Sequence, residues 1–283
     1  MSTKDFQVIK ASGFPEFFDE EKLRRSLRRA GAEEAVIDQV LLELAGRWHQ
    51  GIRTKAIFKQ AFKLLRRLQR PAAARYALKQ SMFDFGTSGF PFEDYFAEVL
   101  KSRGYQTQTR QLLSGFCIRH EVDVVAKNST TLLWVECKYH PLAGSVSDVK
   151  VPLYIHSRFR DLERQQANNP NAQKDLHVEG WIVTNSRFSD DAITYGRCVG
   201  LHLIGWNYPA QGSLRQLVDE AKLYPVTCLT VLSRQEKIRL LESGIVLGKM
   251  LKKLGAWCDL LHLSVERRNK VLEEAIALCG EED

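Results

Sequence analysis

The sequence predicts a mixed α/β protein with helical segments at both ends of the chain. Short β-like runs alternate with helical patterns between residues 105 and 205, as expected when strands and helices share one mixed sheet. Before residue 82 and after residue 213, apolar residues recur at helical spacing instead. These observations predict a central α/β domain between a mostly helical N-terminal domain and a small helical C-terminal module.

Residues that favour loops divide the 283-residue chain into three predicted segments. Gly86, Gly89 and Pro91 indicate the first boundary, and a loop-forming run over residues 209–212 indicates the second. Chains of this length commonly hold two or three domains of ~100–200 residues each. We therefore predict one domain over residues 1–82, a second over residues 84–210 and a helical module over residues 213–283.

The first segment is predicted to begin with a strand over residues 6–10 and to continue as helices. Asp19 and Thr54 have side chains that favour the N-cap position of a helix. The helices that follow carry apolar residues at three- and four-residue spacing. Their predicted ranges are residues 22–30, residues 33–44, a run that starts after Thr54, and residues 72–79.

The central segment combines helical and strand periodicity. Its predicted helices are residues 92–103, which Gly104 ends, residues 153–167 and residues 189–199. Its predicted strands are residues 105–112, 121–126, 132–139, 181–184 and 201–205. The order of one helix, three strands, a helix and a strand predicts a mixed sheet covered by helices.

The composition is that of an ordinary globular protein, with 44% hydrophobic and 27% charged residues. No apolar run approaches the ~18–20 residues that a membrane span needs. The first ten residues lack the apolar core of a signal peptide. The six cysteines have no metal-binding spacing, and we interpret them as reduced thiols. We therefore expect a cytoplasmic protein with no membrane partner.

Positive charge is concentrated near the N-terminus. The net charge is +7, but residues 1–80 carry +8 and the remaining residues carry −1. A basic segment of this kind suits a partner that bears phosphates, either a nucleic acid or a nucleotide. A solvated helix face is the alternative interpretation, and charge alone does not separate the two.

Two acidic residues and one lysine form the most informative pattern in the sequence. Two β-like runs flank a short polar turn centred on Ser129 and Thr130, which places Asp123 opposite Glu136. Opposed residues of an antiparallel pair share one face of the sheet, with Cβ atoms ~4.5–5.5 Å apart. Lys138 lies two residues beyond Glu136 and therefore shares that face.

Two carboxylates at that distance repel each other unless a cation lies between them. A hard divalent cation with oxygen ligands, Mg²⁺ or Mn²⁺, is therefore predicted at Asp123 and Glu136. Such an ion activates water and stabilises charge on a scissile phosphate. Lys138 would orient or deprotonate the attacking water, or stabilise the developing negative charge. The alternative is a surface salt bridge between Lys138 and one of the acids.

Short motifs in the central segment match a known nuclease pattern. They are Gly89, Phe90, Pro91, Phe92 and Glu93 with Gly104 and Tyr105, then Glu121, Val122 and Asp123, then Val135, Glu136, Cys137, Lys138, Tyr139 and His140, and finally Thr184 and Asn185 with Phe188, Ser189 and Ala192. Over about residues 84–207 the chain resembles the Mrr-type restriction endonucleases of the PD-(D/E)XK superfamily. The resemblance implies that Asp123 and Glu136 bind the metal, that Lys138 is the catalytic lysine, and that Glu93 is an accessory acid. It also implies double-stranded DNA as the substrate.

A second set of motifs lies in residues 5–82. They are Val8, Ile9 and Lys10 with Gly13, Phe18 and Asp19 with Lys22 and Leu23, Thr54 with Ile57, and Arg75 and Tyr76 with Leu78. At these residues the segment resembles the ATP-cone, a regulatory domain of ribonucleotide reductases, although Ala11 and Ser12 depart from its usual charged pair. The resemblance implies that ATP or dATP is bound by Val8, Lys10, Lys22 and Thr54. A basic helical DNA-binding module is the alternative.

Residues 213–283 resemble a helix-hairpin-helix layout in the spacing of their leucines and glycines. Such units bind a DNA backbone through peptide N–H groups at a glycine turn. Only Gly244 and Gly255 are candidates for that turn, and the usual Gly-x-Gly hairpin is missing. A helical packing or dimerisation module is the alternative.

Together these patterns predict a metal-dependent DNA endonuclease that an adenine nucleotide regulates, in prokaryotic restriction, defence or repair, and we expect a homo-oligomer. One alternative is a nuclease like the Holliday-junction resolvases, which use the same kind of site on branched DNA. Another is a non-catalytic regulator that binds DNA or a nucleotide and has a decayed nuclease site.

Overall fold

A computed structural model describes residues 6–10, 13–47, 49–168 and 176–280. Its mixed α/β architecture confirms the predicted fold class. The chain forms two compact units, of which the first contains residues 1–82 and 224–283 and the second contains residues 83–223. No helix in the described part of the chain combines the length and apolar character needed to cross a membrane.

A small three-stranded sheet begins the first unit. Its strands are β1 (Gln7–Ile9), β2 (Pro15–Phe17) and β3 (Ile52–Arg53), in the spatial order β2-β1-β3. Strand β1 pairs antiparallel with β2 and parallel with β3. Strand β1 lies within the predicted strand over residues 6–10. The sequence did not predict β2 and β3, because strands of two or three residues are too short to show a recognisable periodicity.

Five helices follow the chain through the rest of this segment. They are α1 (Glu20–Arg29), α2 (Glu34–Ala45), α3 (Thr54–Leu68), α4 (Arg70–Tyr76) and α5 (Leu78–Ser81). Leucine, isoleucine and valine side chains of α1, α2 and α3 form a buried core with Val8 and Ile52 of the small sheet. Asp19 caps α1 as predicted, because its carboxylate accepts the Lys22 N–H at 3.1 Å. Thr54 differs from its prediction, since it is the first helical residue of α3 and not the cap.

A five-stranded mixed sheet forms the centre of the second unit. Its strands are β4 (Gln106–Ser114), β5 (Arg119–Lys127), β6 (Thr131–Lys138), β8 (His177–Thr184) and β10 (His202–Ile204), and the short strands β7 (Val146–Ser147) and β9 (Arg187–Phe188) pair separately. The spatial order is β10-β8-β6-β5-β4. Strand β5 pairs antiparallel with both β4 and β6, whereas β8 pairs parallel with both β6 and β10.

Four helices belong to the second unit: α6 (Phe90–Lys101), α7 (Lys150–Asn168), α8 (Asp190–Cys198) and α9 (Leu214–Glu220). The order α6-β4-β5-β6-α7-β8 is the predicted one. Strand β8 begins at His177, earlier than the predicted residue 181, because His177 pairs with Thr131 at the start of β6. The sequence pattern did not predict this extension because Gly180 interrupts the run of strand-forming residues. A Cβ atom there would lie 2.6 Å from the Phe159 ring, so the strand needs a residue without a side chain.

The end of the second unit differs from the predicted boundary at residues 210–213. Helix α9 stays with the sheet, since the Leu214 N–H donates to the Gly205 carbonyl at 3.0 Å. The buried Tyr95 hydroxyl of α6 donates to the Leu223 carbonyl at 2.9 Å, which fixes the chain just before residue 224. The loop at residues 209–212 is therefore a turn within the second unit.

The C-terminal segment belongs to the first unit, which corrects the separate module predicted for residues 213–283. Its helices are α10 (Arg234–Glu242), α11 (Ala256–Leu261) and α12 (Val265–Cys279). Helix α12 packs against α4, where the Arg75 guanidinium donates to the Ala277 carbonyl at 3.0 Å. The hydroxyl of Ser81 donates to the Thr227 carbonyl, and the Thr227 hydroxyl donates to the Ser81 carbonyl. The chain thus returns to complete the core that residues 1–82 begin.

We expect Glu274 to be the residue of the C-terminal segment on which stability depends most. Its buried carboxylate accepts hydrogen bonds of 2.6 to 3.0 Å from the N–H and hydroxyl of Thr230 and from the Val231 N–H. Because stranded buried donors cost ~1–3 kcal/mol, Glu274→Ala should lower the free energy of unfolding by about 2–4 kcal/mol. Urea unfolding measures this, with the exposed Glu273→Ala on the same helix as the matched control. Equal losses in both variants would contradict the assignment.

Candidate carboxylate–lysine site

The predicted register of β5 and β6 is confirmed by their pairing. Val124 lies opposite Val135, and the next three pairs continue in the same register. Both valines are fully buried, as the apolar pattern requires. One step further along the same register, Asp123 of β5 comes next to Glu136 of β6. The two carboxylates therefore lie where these strands leave the paired part of the sheet.

The backbone around Asp123 is irregular on both sides. Toward β6, the Cys137 N–H donates to the Asp123 carboxylate at 2.7 Å. Toward β4, the register places Arg110 opposite Asp123, and Arg110 has φ of 54°. This left-handed conformation is rare for a residue with a side chain and costs ~1–3 kcal/mol, so the surrounding contacts must impose it. Such local strain is common at functional sites.

Helix α6 contributes the third acid of the cluster. Glu93 is 6% exposed, and its carboxylate accepts a hydrogen bond from the Arg110 guanidinium at 3.2 Å. Arg110 also forms an ion pair with Asp94 at 2.9 Å. Gly89 precedes Glu93 by one turn and leaves room for its carboxylate, because a Cβ atom there would lie 3.4 Å from Glu93 Oε1. The predicted accessory acid thus lies beside the arginine that faces Asp123.

The three acids share an environment that favours their neutral forms. Burial raises the pKa of Glu93 to about 7, and the nearby charge of Asp123 raises it as well. Burial and the charge of Asp123 likewise raise the pKa of Glu136 to about 7. Burial also raises the pKa of Asp123. Carboxyl groups with pKa values raised by burial and mutual repulsion are typical of functional sites, where a bound cation restores their charged forms.

Lys138 ends β6 with an exposed side chain. Its positive charge, like that of Arg158, opposes the increase that burial causes in the pKa values of Asp123 and Glu136. Lys138 therefore acts electrostatically on both carboxylates. Its side chain makes no ion pair within 4.0 Å among the described residues, which leaves the amine available to a ligand. The structure brings Asp123, Glu136 and Lys138 together, as the strand register predicts, and it places Glu93, which the family resemblance implies, beside them.

Arg158 of α7 is a component of this cluster that sequence reasoning missed. Its guanidinium forms an ion pair with Glu136 at 2.9 Å and also donates to the Glu121 carbonyl. The residue falls beside the buried positions Ile155 and Phe159 of the amphipathic helix. This position in the sequence could have indicated its role. A charged residue next to the apolar stripe of a helix faces the protein interior and needs a partner there.

The carboxylate pair offers oxygen atoms that suit a hard divalent cation. Asp123 uses Oδ2 for the Cys137 N–H and Glu136 uses Oε2 for Arg158, so Oδ1 and Oε1 carry no hydrogen bond within the described chain. Within that same part of the chain, no three Asp, Glu, His or Cys side chains converge to hold a metal ion by themselves. Two carboxylates with water or phosphate oxygens fit Mg²⁺ and Mn²⁺, which keep several water ligands in protein sites.

A separate cavity in the first unit contains every residue predicted to bind a nucleotide. It has a volume of about 330 Å³, and its lining includes Val8, Lys10, Lys22 and Thr54. Aromatic side chains form another part of the wall, where the rings of Phe58 and Tyr76 stack with centroids 4.9 Å apart. The departing residues Ala11 and Ser12 lie outside the described residues. We call this space the N-terminal cavity.

The two lysines of the N-terminal cavity both contact Glu16. Lys22 Nζ lies 2.9 Å from Glu16 Oε1, and Lys10 forms an ion pair with the other carboxylate oxygen. Lys22 also lies 3.9 Å from Asp19. Glu16 therefore holds two cations in a cavity whose lining combines apolar and aromatic side chains with Asp19, Ser26 and Thr54. A ligand with a flat ring and an anionic tail matches this combination.

The comparisons with known proteins identify relatives that match up to about two thirds of the chain. A family model described as AF1548-like, C-terminal, matches residues 224–279. An uncharacterized protein of Archaeoglobus fulgidus is 30% identical over 185 residues, which is 65% of this chain and 99% of that protein. A crystal structure of a protein of unknown function, AF1548, is similar with a TM-score of 0.55 and 28% identity. That similarity covers 69% of this chain and 100% of the other.

The fold and the site define a mixed α/β protein with an acidic cluster and a lysine at the ends of adjacent strands. The archaeal protein is 30% identical over 99% of its length, and this similarity shows the family of the chain. The chain belongs to the AF1548-like family. The start of the family model at residue 224 coincides with the point where the chain enters the first unit for the second time.

Proposed function

We propose that this protein is a metal-dependent endonuclease that hydrolyses phosphodiester bonds of double-stranded DNA. The observation that supports this most directly is the cluster of three carboxyl groups, with pKa values raised by burial, beside the exposed Lys138. The motif resemblance to Mrr-type endonucleases points to the same reaction. Prokaryotic restriction, defence or repair in the cytoplasm is the setting that this proposal implies.

Each residue of the cluster would have a separate role in hydrolysis. Asp123 and Glu136 would hold Mg²⁺ or Mn²⁺ through their free oxygen atoms, and the ion would supply Lewis acidity to the phosphate and to water. Lys138 would donate hydrogen bonds to the attacking water or to the phosphate oxygen on which charge develops. Arg158 and Arg110 would keep Glu136 and Glu93 in fixed orientations. The reaction then needs no covalent enzyme intermediate.

A plasmid cleavage assay tests the proposed reaction. Supercoiled DNA should be nicked or linearised with Mg²⁺ or Mn²⁺ and should remain intact with EDTA. Comparison of linear, methylated and four-way-junction DNA separates a restriction-type enzyme from a junction resolvase. Binding of DNA with no cleavage of any substrate would favour the non-catalytic regulator. The observation that favours this alternative is the ion pair with Arg158, which occupies one carboxylate oxygen of Glu136.

We further propose that ATP or dATP binds the N-terminal cavity and regulates the nuclease. Lys10, Lys22 and Thr54 would contact the triphosphate, and Val8 would pack against the base. The bound nucleotide would change the assembly of a homo-oligomer or the access of DNA to the site. Size-exclusion chromatography with and without ATP tests the assembly, and the cleavage assay with and without ATP tests the activity.

We expect Lys138→Ala to reduce the rate of cleavage while leaving DNA affinity nearly unchanged. A positioned group that transfers a proton or stabilises charge in the transition state typically contributes 10²–10⁴-fold, so kcat should decrease by about that factor. Single-turnover cleavage and DNA binding in EDTA measure the two quantities separately. Lys101→Ala, which removes an exposed lysine from α6, is the matched control. A variant that cleaves at the normal rate would remove Lys138 from the mechanism.

A further inference from the structure

A second cavity in the first unit is lined mainly by positive charge. Its volume is about 540 Å³, and we call it the basic cavity. Five cationic side chains line it: Arg47, Lys63, Arg66, Arg67 and Arg70. The described residues that line it and those that line the N-terminal cavity do not overlap. The two cavities are therefore separate, and the basic cavity has no role in the function proposed so far.

Most of the charge in the basic cavity is not neutralised by the protein. Arg67 forms an ion pair with Glu43 at 2.5 Å. Among the described residues, no carboxylate lies within 4.0 Å of the other four cationic groups, all of which are exposed. The N-terminal cavity differs in this respect, because Glu16 binds both of its lysines. An anionic ligand would therefore meet four unpaired cations in the basic cavity.

The rest of the lining indicates how such a ligand would be recognised. Among the described residues it consists of Leu64, Thr230 and Val231, none of which offers an aromatic ring for a base to stack on. The N–H groups of Thr230 and Val231 already donate to Glu274 and do not face a ligand unpaired. The described lining therefore offers a ligand positive charge and guanidinium hydrogen bonds to anionic oxygen atoms. Phosphate groups fit those donors.

The spacing along α3 suits a row of phosphates. Arg66 and Arg67 lie three and four residues after Lys63, which places both beside Lys63 on one side of the helix. From Lys63 to Arg67 the axis of the helix rises about 6 Å. Phosphates of one DNA strand recur every ~3.4 Å along the duplex axis, so this face spans about two phosphate steps. Arg70, at the start of α4, extends the positive surface past the end of α3.

We propose that the basic cavity binds the phosphate backbone of duplex DNA without reading its sequence. The inference extends the proposed function by naming a contact for the DNA substrate far along the chain from the carboxylate–lysine site. It requires DNA binding and not cleavage, so it can be tested when no hydrolysis occurs. In the proposed nuclease, such a contact would add affinity for the DNA substrate that does not depend on its sequence.

The test measures binding of the full-length chain to a short fluorescent duplex in EDTA. Fluorescence anisotropy between about 50 and 200 mM salt gives the affinity and its salt dependence. In Arg66→Ala/Arg70→Ala, the slope of log K against log[salt] should become shallower by about 2, because each lost phosphate contact contributes ~0.9. The affinity at the lowest salt concentration should decrease tenfold or more. Arg47→Ala/Lys63→Ala should give the same result independently.

The matched control is Arg25→Ala/Arg29→Ala, which removes two exposed arginines from α1 outside the cavity. An equal loss of affinity in the control would overturn the proposal, since it would show that total charge and not the cavity binds DNA. Inorganic triphosphate is the competitor that separates the two sources of phosphate. If it binds the wild-type chain and not Arg66→Ala/Arg70→Ala, while both bind DNA equally, the cavity is a site for free polyphosphate and the proposal fails. Failure of cleavage in Mg²⁺ with this binding pattern intact would refute only the proposed nuclease activity.

Discussion

Asp123→Asn should abolish DNA cleavage and leave the protein at least as stable as the wild type. One lost metal ligand removes several kcal/mol of transition-state stabilisation, and each ~1.4 kcal/mol is tenfold in rate, so cleavage should decrease ~10³-fold or more. Stability should respond in the opposite direction. The charge of Asp123 raises the pKa values of Glu93 and Glu136, so its removal relieves repulsion in a buried cluster.

The sign of the stability change distinguishes a functional acid from a structural one. A carboxyl group whose pKa is raised by folding is destabilised in its charged form, so at neutral pH it costs folding free energy. Asparagine keeps an oxygen that can accept the Cys137 N–H, which preserves the local contact. Thermal unfolding and single-turnover cleavage measure the two effects on the same sample.

Asp191→Asn provides the control, because Asp191 is an exposed carboxylate at the start of α8. It should change neither cleavage nor the unfolding temperature by a measurable amount. Normal cleavage by Asp123→Asn would remove the residue from the proposed site. A large loss of stability in that variant would instead mean that Asp123 serves the fold.

ATP and dATP should raise the unfolding temperature of the protein, whereas GTP and inorganic triphosphate should raise it less. A ligand that binds only the folded state at a hundredfold excess over its Kd stabilises that state by ~2.7 kcal/mol. For a protein of this size, each kcal/mol corresponds to about 2–4 °C, so the expected shift is about 5–10 °C. Differential scanning fluorimetry with the four ligands measures this effect.

Two substitutions in the N-terminal cavity should change this shift in opposite directions. Lys10→Ala/Lys22→Ala removes the cations proposed to bind the triphosphate, so the ATP shift should disappear. Glu16→Gln removes the carboxylate that pairs with both lysines, and it should increase the affinity for ATP. Lys59→Ala, an exposed lysine on α3, should leave the shift unchanged. Equal shifts with all four ligands, or none with any, would favour the basic DNA-binding module instead.

The central sheet was predictable because its signals are local. The pairing of β5 with β6 follows from a short polar turn and from two valines that must be buried together. The same register placed two acids side by side, and the structure preserves that arrangement. The residues of the N-terminal cavity were found by motif resemblance, although they come from a strand, a loop and two helices that no single periodicity connects.

Arg110 and Arg158 could not be assigned in the same way. Each contacts the acidic cluster through its side chain from another element, β4 or α7, and the left-handed backbone of Arg110 has no marker in the sequence pattern. The association of the C-terminal segment with residues 1–82 is also invisible to local analysis. It depends on contacts such as those between Ser81 and Thr227, which lie 146 residues apart.

The division of the first unit between both ends of the chain has a consequence for synthesis. During translation, residues 1–82 leave the ribosome well before the segment that begins at Tyr224. At ~5–20 residues per second, the intervening stretch takes roughly 7–28 s to translate. Throughout that time α4 lacks its contacts with α12, including the hydrogen bond that the Arg75 guanidinium donates to the Ala277 carbonyl. The α/β unit can therefore reach its native state first, and a nascent-chain chaperone has a defined interval in which to protect the unfinished helical unit.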